Sequence, residues 1–74
     1  MTEYKWIRIE EVGESKSGKT KIYDVIEKGY GTSLGSIKCR PNWRKYAFYP
    51  INDSWYEEEC LRNIAEFLES LKHE

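Results

Sequence analysis

Residues 13–20 read GESKSGKT and match, at every fixed position, the phosphate-loop pattern G-x-x-x-x-G-K followed by Ser or Thr. In a nucleotide-binding loop the backbone N–H groups cradle phosphates, the lysine (Lys19 here) reaches the terminal phosphates, and the hydroxyl (Thr20) holds magnesium. That chemistry needs a buried parallel strand before the loop and a full helix after it. The preceding run carries Lys5, Arg8, Glu10 and Glu11, too polar for a central parallel strand. The segment after Thr20 is short and rich in β-branched side chains, and no later strand ends in an aspartate placed to bind magnesium. The stretch therefore reads as a polar hairpin loop. Its Lys16, Lys19 and Lys21 are candidates for simple phosphate contacts from a cationic tip.

Residues 34–50, LGSIKCRPNWRKYAFYP, carry a second kind of chemistry. Lys38, Arg40, Arg44 and Lys45 interleave with Trp43, Tyr46, Phe48 and Tyr49 on a stretch that alternates like strand. A sheet needs such residues to meet a phosphate backbone and stack on bases. The pattern has low specificity, because Lys, Arg and Tyr also suit any half-exposed strand. Lys38, Arg40, Trp43, Arg44, Lys45 and Tyr46 are the candidate binding residues, with Tyr46 or Trp43 stacking according to which sheet face is open. The partner is left open between nucleic acid and another protein.

The remaining reactive side chains do not assemble into a catalytic or metal site. Cys39, Cys60 and a lone His73 fall short of the four ligands of structural zinc. Both cysteines suit inward-facing, small apolar roles. A catalytic cysteine wants a nearby histidine in an electropositive setting, and His73 closes an acidic helix. Residues 57–59, three glutamates, suit a helix start better than a catalytic carboxylate pair. The expectation is a non-enzyme with no catalytic residues, no metal and no cofactor.

The elements that would position these residues follow from periodicity. Strands are expected at about residues 3–12, 19–27, 34–40 and 43–49, separated by Gly-rich or Pro-containing connections. Ser54 and Glu57 have the spacing of a capping box and open a helix over about residues 55–72. Leu61, Ile64, Ala65, Leu68 and Leu71 form its apolar stripe, flanked by Cys60 and Phe67, and Glu58 can pair with Arg62. The fold class expected is α+β: a four-stranded antiparallel meander with one C-terminal helix packed on one face. On the last strand Trp43, Ala47 and Tyr49 should point one way, and Tyr46 and Phe48 the other. One helix covers one face, so several aromatic rings should remain on the uncovered one, as a binding or self-association surface.

Length and charge bound the rest. Seventy-four residues make one domain with a marginal core. No apolar run approaches the roughly 20 residues that span a bilayer, and the N-terminus lacks a basic-then-apolar export signal, so a cytoplasmic setting without membrane contact is expected. The net charge of −1 is segregated: residues 15–46 hold eight bases and two acids, and residues 47–74 hold seven acids and two bases.

The run LGSIKCRPNWRKYAFYP followed by ECLRNIAEFLESL resembles a group of small phage and prokaryotic proteins. Their pattern runs LGxIKW, then WRxYxFxP, then a helix beginning near CL and ending FLxxL. The similarity spans roughly residues 34–71, and Cys39 stands where the pattern has tryptophan. The resemblance implies a strand-turn-strand-helix unit and a mobile-element context, and implies no activity. The function expected from the whole sequence is a small binding module that uses a basic, aromatic sheet face to hold nucleic acid. The alternative is a protein-interaction or inhibitor module on that same face, homodimerisation included.

Overall fold

The computed structural model describes residues 2–51 and 55–72. Its elements in chain order are β1 (Thr2–Glu3), β2 (Ile7–Glu14), β3 (Lys21–Glu27), β4 (Ser33–Arg40), β5 (Lys45–Pro50) and α1 (Glu58–Leu71). The strands form one antiparallel sheet in the order β1-β2-β3-β4-β5, so each pairs with its neighbour in sequence. The α+β class, the antiparallel meander and the C-terminal helix are as the sequence predicts. There are five strands rather than four, because the first predicted strand is two. Tyr4 N–H donates to the Ile7 carbonyl at 2.8 Å, closing a tight reversal that sets Thr2 opposite Ile9. Tyr4 packs against the core, whereas Trp6 is 49% exposed.

The core lies between one sheet face and the helix. Ile7, Ile9, Tyr23, Val25 and Ile37 alternate along their strands and meet Cys60, Ile64, Phe67 and Leu71. Ile7, Ile9, Val25 and Ile37 are sealed from water, and burying one such side chain stabilises by about 1.5–3 kcal/mol. The Tyr23 and Phe67 rings meet edge to face at 5.0 Å, and the Phe48 and Tyr56 rings do so at 5.4 Å.

A bulge sets the register of β4. Val25 pairs with Gly35 and Ile26 with Ser33, so Leu34 is an extra residue that turns into the core. Gly35 holds φ 154°, and a Cβ there would meet the Tyr49 carbonyl oxygen, the Phe48 ring at 2.8 Å and Pro50 Cα at 2.9 Å. Glycine is required because the β5 backbone occupies the side-chain position.

The helix starts later than the sequence predicts. Tyr56 is held outside it, its hydroxyl donating to the Leu34 carbonyl at 2.6 Å. Glu57 has extended backbone, and its carboxylate accepts from Cys60 N–H at 2.7 Å and Glu59 N–H at 3.1 Å, so Glu57 is the N-cap. The predicted cap, Ser54, lies outside the described residues, as does His73. Glu58 and Arg62 do pair, at 3.5 Å. The buried stripe is Cys60, Ile64, Phe67 and Leu71, which brings the two predicted flanking residues into it. Leu61 and Ala65, predicted within the stripe, are exposed, and Leu68 is half-buried.

Candidate nucleic-acid interface

Paired residues of an antiparallel ladder share a face. Ile37 pairs with Phe48 and Cys39 with Tyr46, all on the helix side. The alternate pairs, Ser36 with Tyr49, Lys38 with Ala47 and Arg40 with Lys45, therefore project from the reverse face. Three of the predicted binding residues, Lys38, Arg40 and Lys45, are thus brought together there.

Each cation on this patch has a local setting. The Lys38 ammonium lies 4.6 Å from the Tyr49 ring centroid. The Arg40 guanidinium lies 4.7 Å from the Trp43 ring centroid, and Arg40 Nε is buried with no hydrogen-bond partner among the described residues. Trp43 and Arg44 are not in β5, as predicted, but in a four-residue turn closed by Trp43 N–H to the Arg40 carbonyl at 3.1 Å and Arg44 N–H to the Pro41 carbonyl at 3.2 Å. Arg44 takes a left-handed φ of 55°, which ends the turn and starts the strand two residues later than alternation suggests. Trp43 is 63% exposed beside Arg40.

Tyr46 is not on the open face. Its ring lies 6.3 Å from that of Tyr23 on the helix side, and its hydroxyl accepts from Lys21 N–H at 3.1 Å. The expected collection of stranded rings is corrected in the same way. Tyr23, Tyr46 and Phe48 go to the helix side because Tyr4, Tyr56 and α1 together cover more of that face than a helix alone. Among the described strand residues, Tyr49 is the one ring on the reverse face. The exposed rings Trp6, Tyr30, Trp43 and Trp55 lie in connections.

The reverse face is charged and graded. On β2 and β3 it holds Arg8 with Glu10 at 3.5 Å, and Asp24 accepting from the Ser33 hydroxyl at 2.6 Å. Towards β4 and β5 the charges are cations only, with apolar cover from Ala47 and Tyr49.

The loop over residues 15–20 closes the β2–β3 hairpin. Ser15 N–H donates to the Thr20 carbonyl and Gly18 N–H to the Ser15 carbonyl, both at 2.9 Å, while the Ser15 and Ser17 hydroxyls accept from the Thr20 and Lys19 amides at 3.4 Å. A strand follows, so no helix N-terminus faces the loop. Lys16, Lys19 and Lys21 are all exposed, and Lys21 bonds Glu11 at 3.2 Å on the helix side. Antiparallel pairing puts this loop and the turn over residues 41–44 at one end of the sheet. Thr20, Arg44 and Lys45 line one groove there of about 790 Å³, between the sheet and the C-terminal half of α1.

At the other end of the helix a cleft of about 670 Å³ is lined by Trp6, Trp55, Glu57, Glu59 and Cys60, among others, and the Trp6 indole donates to Glu59 at 2.6 Å. Nothing in local spacing signals that contact between residues 53 positions apart. Cys39 and Cys60 are free thiols. Burial, then the Glu57 and Glu27 carboxylates, raise the Cys60 thiol above its ordinary value, which makes it a poor nucleophile near neutral pH. Burial, then Glu66, likewise raise the Tyr4 phenol. Among the described residues, no three His, Cys, Asp or Glu side chains could hold a metal ion, and no helix is long and apolar enough to cross a membrane.

Comparison with protein-family profiles, with curated proteins and with solved structures found no match to this chain.

Proposed function

We propose that this chain is a small non-enzymatic binding module of mobile-element type, acting in the cytoplasm, that holds nucleic acid on the β4–β5 side of its reverse sheet face. The observation that carries this reading is the register that sets Lys38, Arg40 and Lys45 on one face with Tyr49. Lys38, Arg40, Arg44 and Lys45 meet phosphates, and Lys16 and Lys19 extend the cationic end. Tyr49 and Trp43 stack on bases, which favours a single strand. Tyr46 serves this surface from behind, as core. The Lys38 ammonium leaves the Tyr49 ring for a phosphate when a base takes its place.

Arg44 supports the same reading. An arginine in left-handed conformation sits where glycine or asparagine costs less, so its charge gives a reason for its presence. A protein partner on the same face has less support, because most of the rings it would bury lie on the helix side.

Salt dependence tests the proposal. Four phosphate contacts predict a log-log slope of affinity against salt of about −3 for a single strand and about −4 for a duplex. Fluorescence anisotropy with labelled oligonucleotides at rising salt reads it directly. Failure to bind DNA or RNA even at low salt would end the proposal.

A further inference from the structure

The apolar surface of α1 is wider than the sheet uses. One flank is tied down towards β2 and β3, where Phe67 meets Tyr23 and Glu59 accepts from Trp6. The opposite flank, Leu61, Ala65 and Leu68, follows helical spacing along one line. Leu61 is 51% exposed, Ala65 is exposed and Leu68 is half-buried. This flank overlooks the sheet-edge strand β5, across the groove that Ala65 and Leu68 share with Tyr46 and the cations Arg44 and Lys45.

We propose that the occupant of this flank is a second copy of the chain, its helix antiparallel to the first about a two-fold axis at Ala65. The charge order along α1 is self-complementary in that arrangement. Glu58 and Lys72 stand equally far on either side of Ala65, so each Glu58 faces Lys72 of the other copy. Leu61 meets Leu68, and Arg62 comes beside Glu69. The pairs within one helix, Glu58 with Arg62 at 3.5 Å and Glu69 with Lys72 at 3.3 Å, thereby join into alternating four-charge clusters at both ends of the contact. A parallel pairing would set Glu58 against Glu58. The small Ala65 at the crossing lets two helices approach closely. The contact is isologous, which closes the assembly at two copies. It lies on the helix side of the molecule, beside a groove that also holds Arg44 and Lys45, so it is tested in the absence of nucleic acid.

Sedimentation equilibrium on the full chain, without nucleic acid, tests this. The wild type is expected to show a concentration-dependent monomer–dimer equilibrium. Leu61→Glu changes a side chain that is exposed in the monomer; it should keep the wild-type far-ultraviolet circular dichroism spectrum and weaken dimerisation at least about tenfold, the equivalent of about 1.4 kcal/mol. Glu58→Lys should weaken dimerisation by facing two lysines. Combining it with Lys72→Glu should restore dimerisation, because the swap re-forms the facing pairs. A wild type that stays monomeric up to millimolar concentration overturns the proposal. A dimer unaffected by Leu61→Glu, or not recovered by the double swap, overturns it as well.

Discussion

Arg44 holds a backbone conformation that crowds an L side chain against its own peptide, at a cost of about 1–2 kcal/mol that glycine escapes. Arg44→Gly is therefore expected to raise the melting temperature by several degrees in a domain of this size. It should also lower the magnitude of the salt slope for oligonucleotide binding by about one, as the loss of one phosphate contact requires. A melting temperature that falls instead would mean that the side chain holds the turn together. No residue type near Arg44 announces the left-handed φ: Pro41 and Asn42 mark a turn in the sequence, yet its length depends on where the ladder can resume. A second prediction concerns Cys60. Its folded thiol pKa lies above the unfolded value, so the fold favours the neutral form. That contribution is complete below the ordinary value of 9.0 and is lost as pH rises through the folded value. Urea melts from about pH 7 to about pH 10 should show stability falling at the alkaline end, and Cys60→Ala should flatten that fall. Tyr4 acts with the same sign at still higher pH.

At the scale of elements, the strands over residues 21–27 and 33–40 were legible because β-branched side chains run between Gly- and Pro-marked connections. The break at residues 4–6 was not, since Tyr4, Lys5 and Trp6 carry no turn signal and the reversal is held by the tertiary placing of Tyr4 in the core. The start of α1 was misplaced because Ser54 and Glu57 have capping-box spacing, while Glu57 caps by its own carboxylate and Tyr56 is fixed to β4. The Leu34 bulge was equally silent, although Gly35 beside it was its sequence trace. Its close approach to β5 gives the sharpest test of the β4–β5 register. Gly35→Ala should cost at least about 2 kcal/mol, because the β5 backbone and not a flexible side chain blocks the methyl. A thermal melt that drops by less than a few degrees would mean that β4 and β5 lie further apart at Gly35.

The molecule as a whole divides its charge along the chain, and folding turns that order into geometry. Residues 15–46 supply both the hairpin tip with Lys16 and Lys19 and the strand pair with Lys38, Arg40 and Lys45, and both meet at one end of the sheet. The acids of residues 47–74 fall largely on the helix. This segregation was readable from composition by segment, and so was the class of fold. Which face receives the rings was not, because the choice depends on how much area Tyr4 and Tyr56 add to the helix. The gathering of cations was accordingly half legible: type and spacing put Lys38, Arg40 and Lys45 on one face, whereas the ring beside them is Tyr49 rather than Tyr46, a face assignment that periodicity leaves undecided. The strand order β1-β2-β3-β4-β5 has a kinetic corollary. Every ladder joins segments adjacent along the backbone, so little loop-closure entropy precedes each pairing, and the sheet can zip up one hairpin at a time in the faster range for sheet-containing domains.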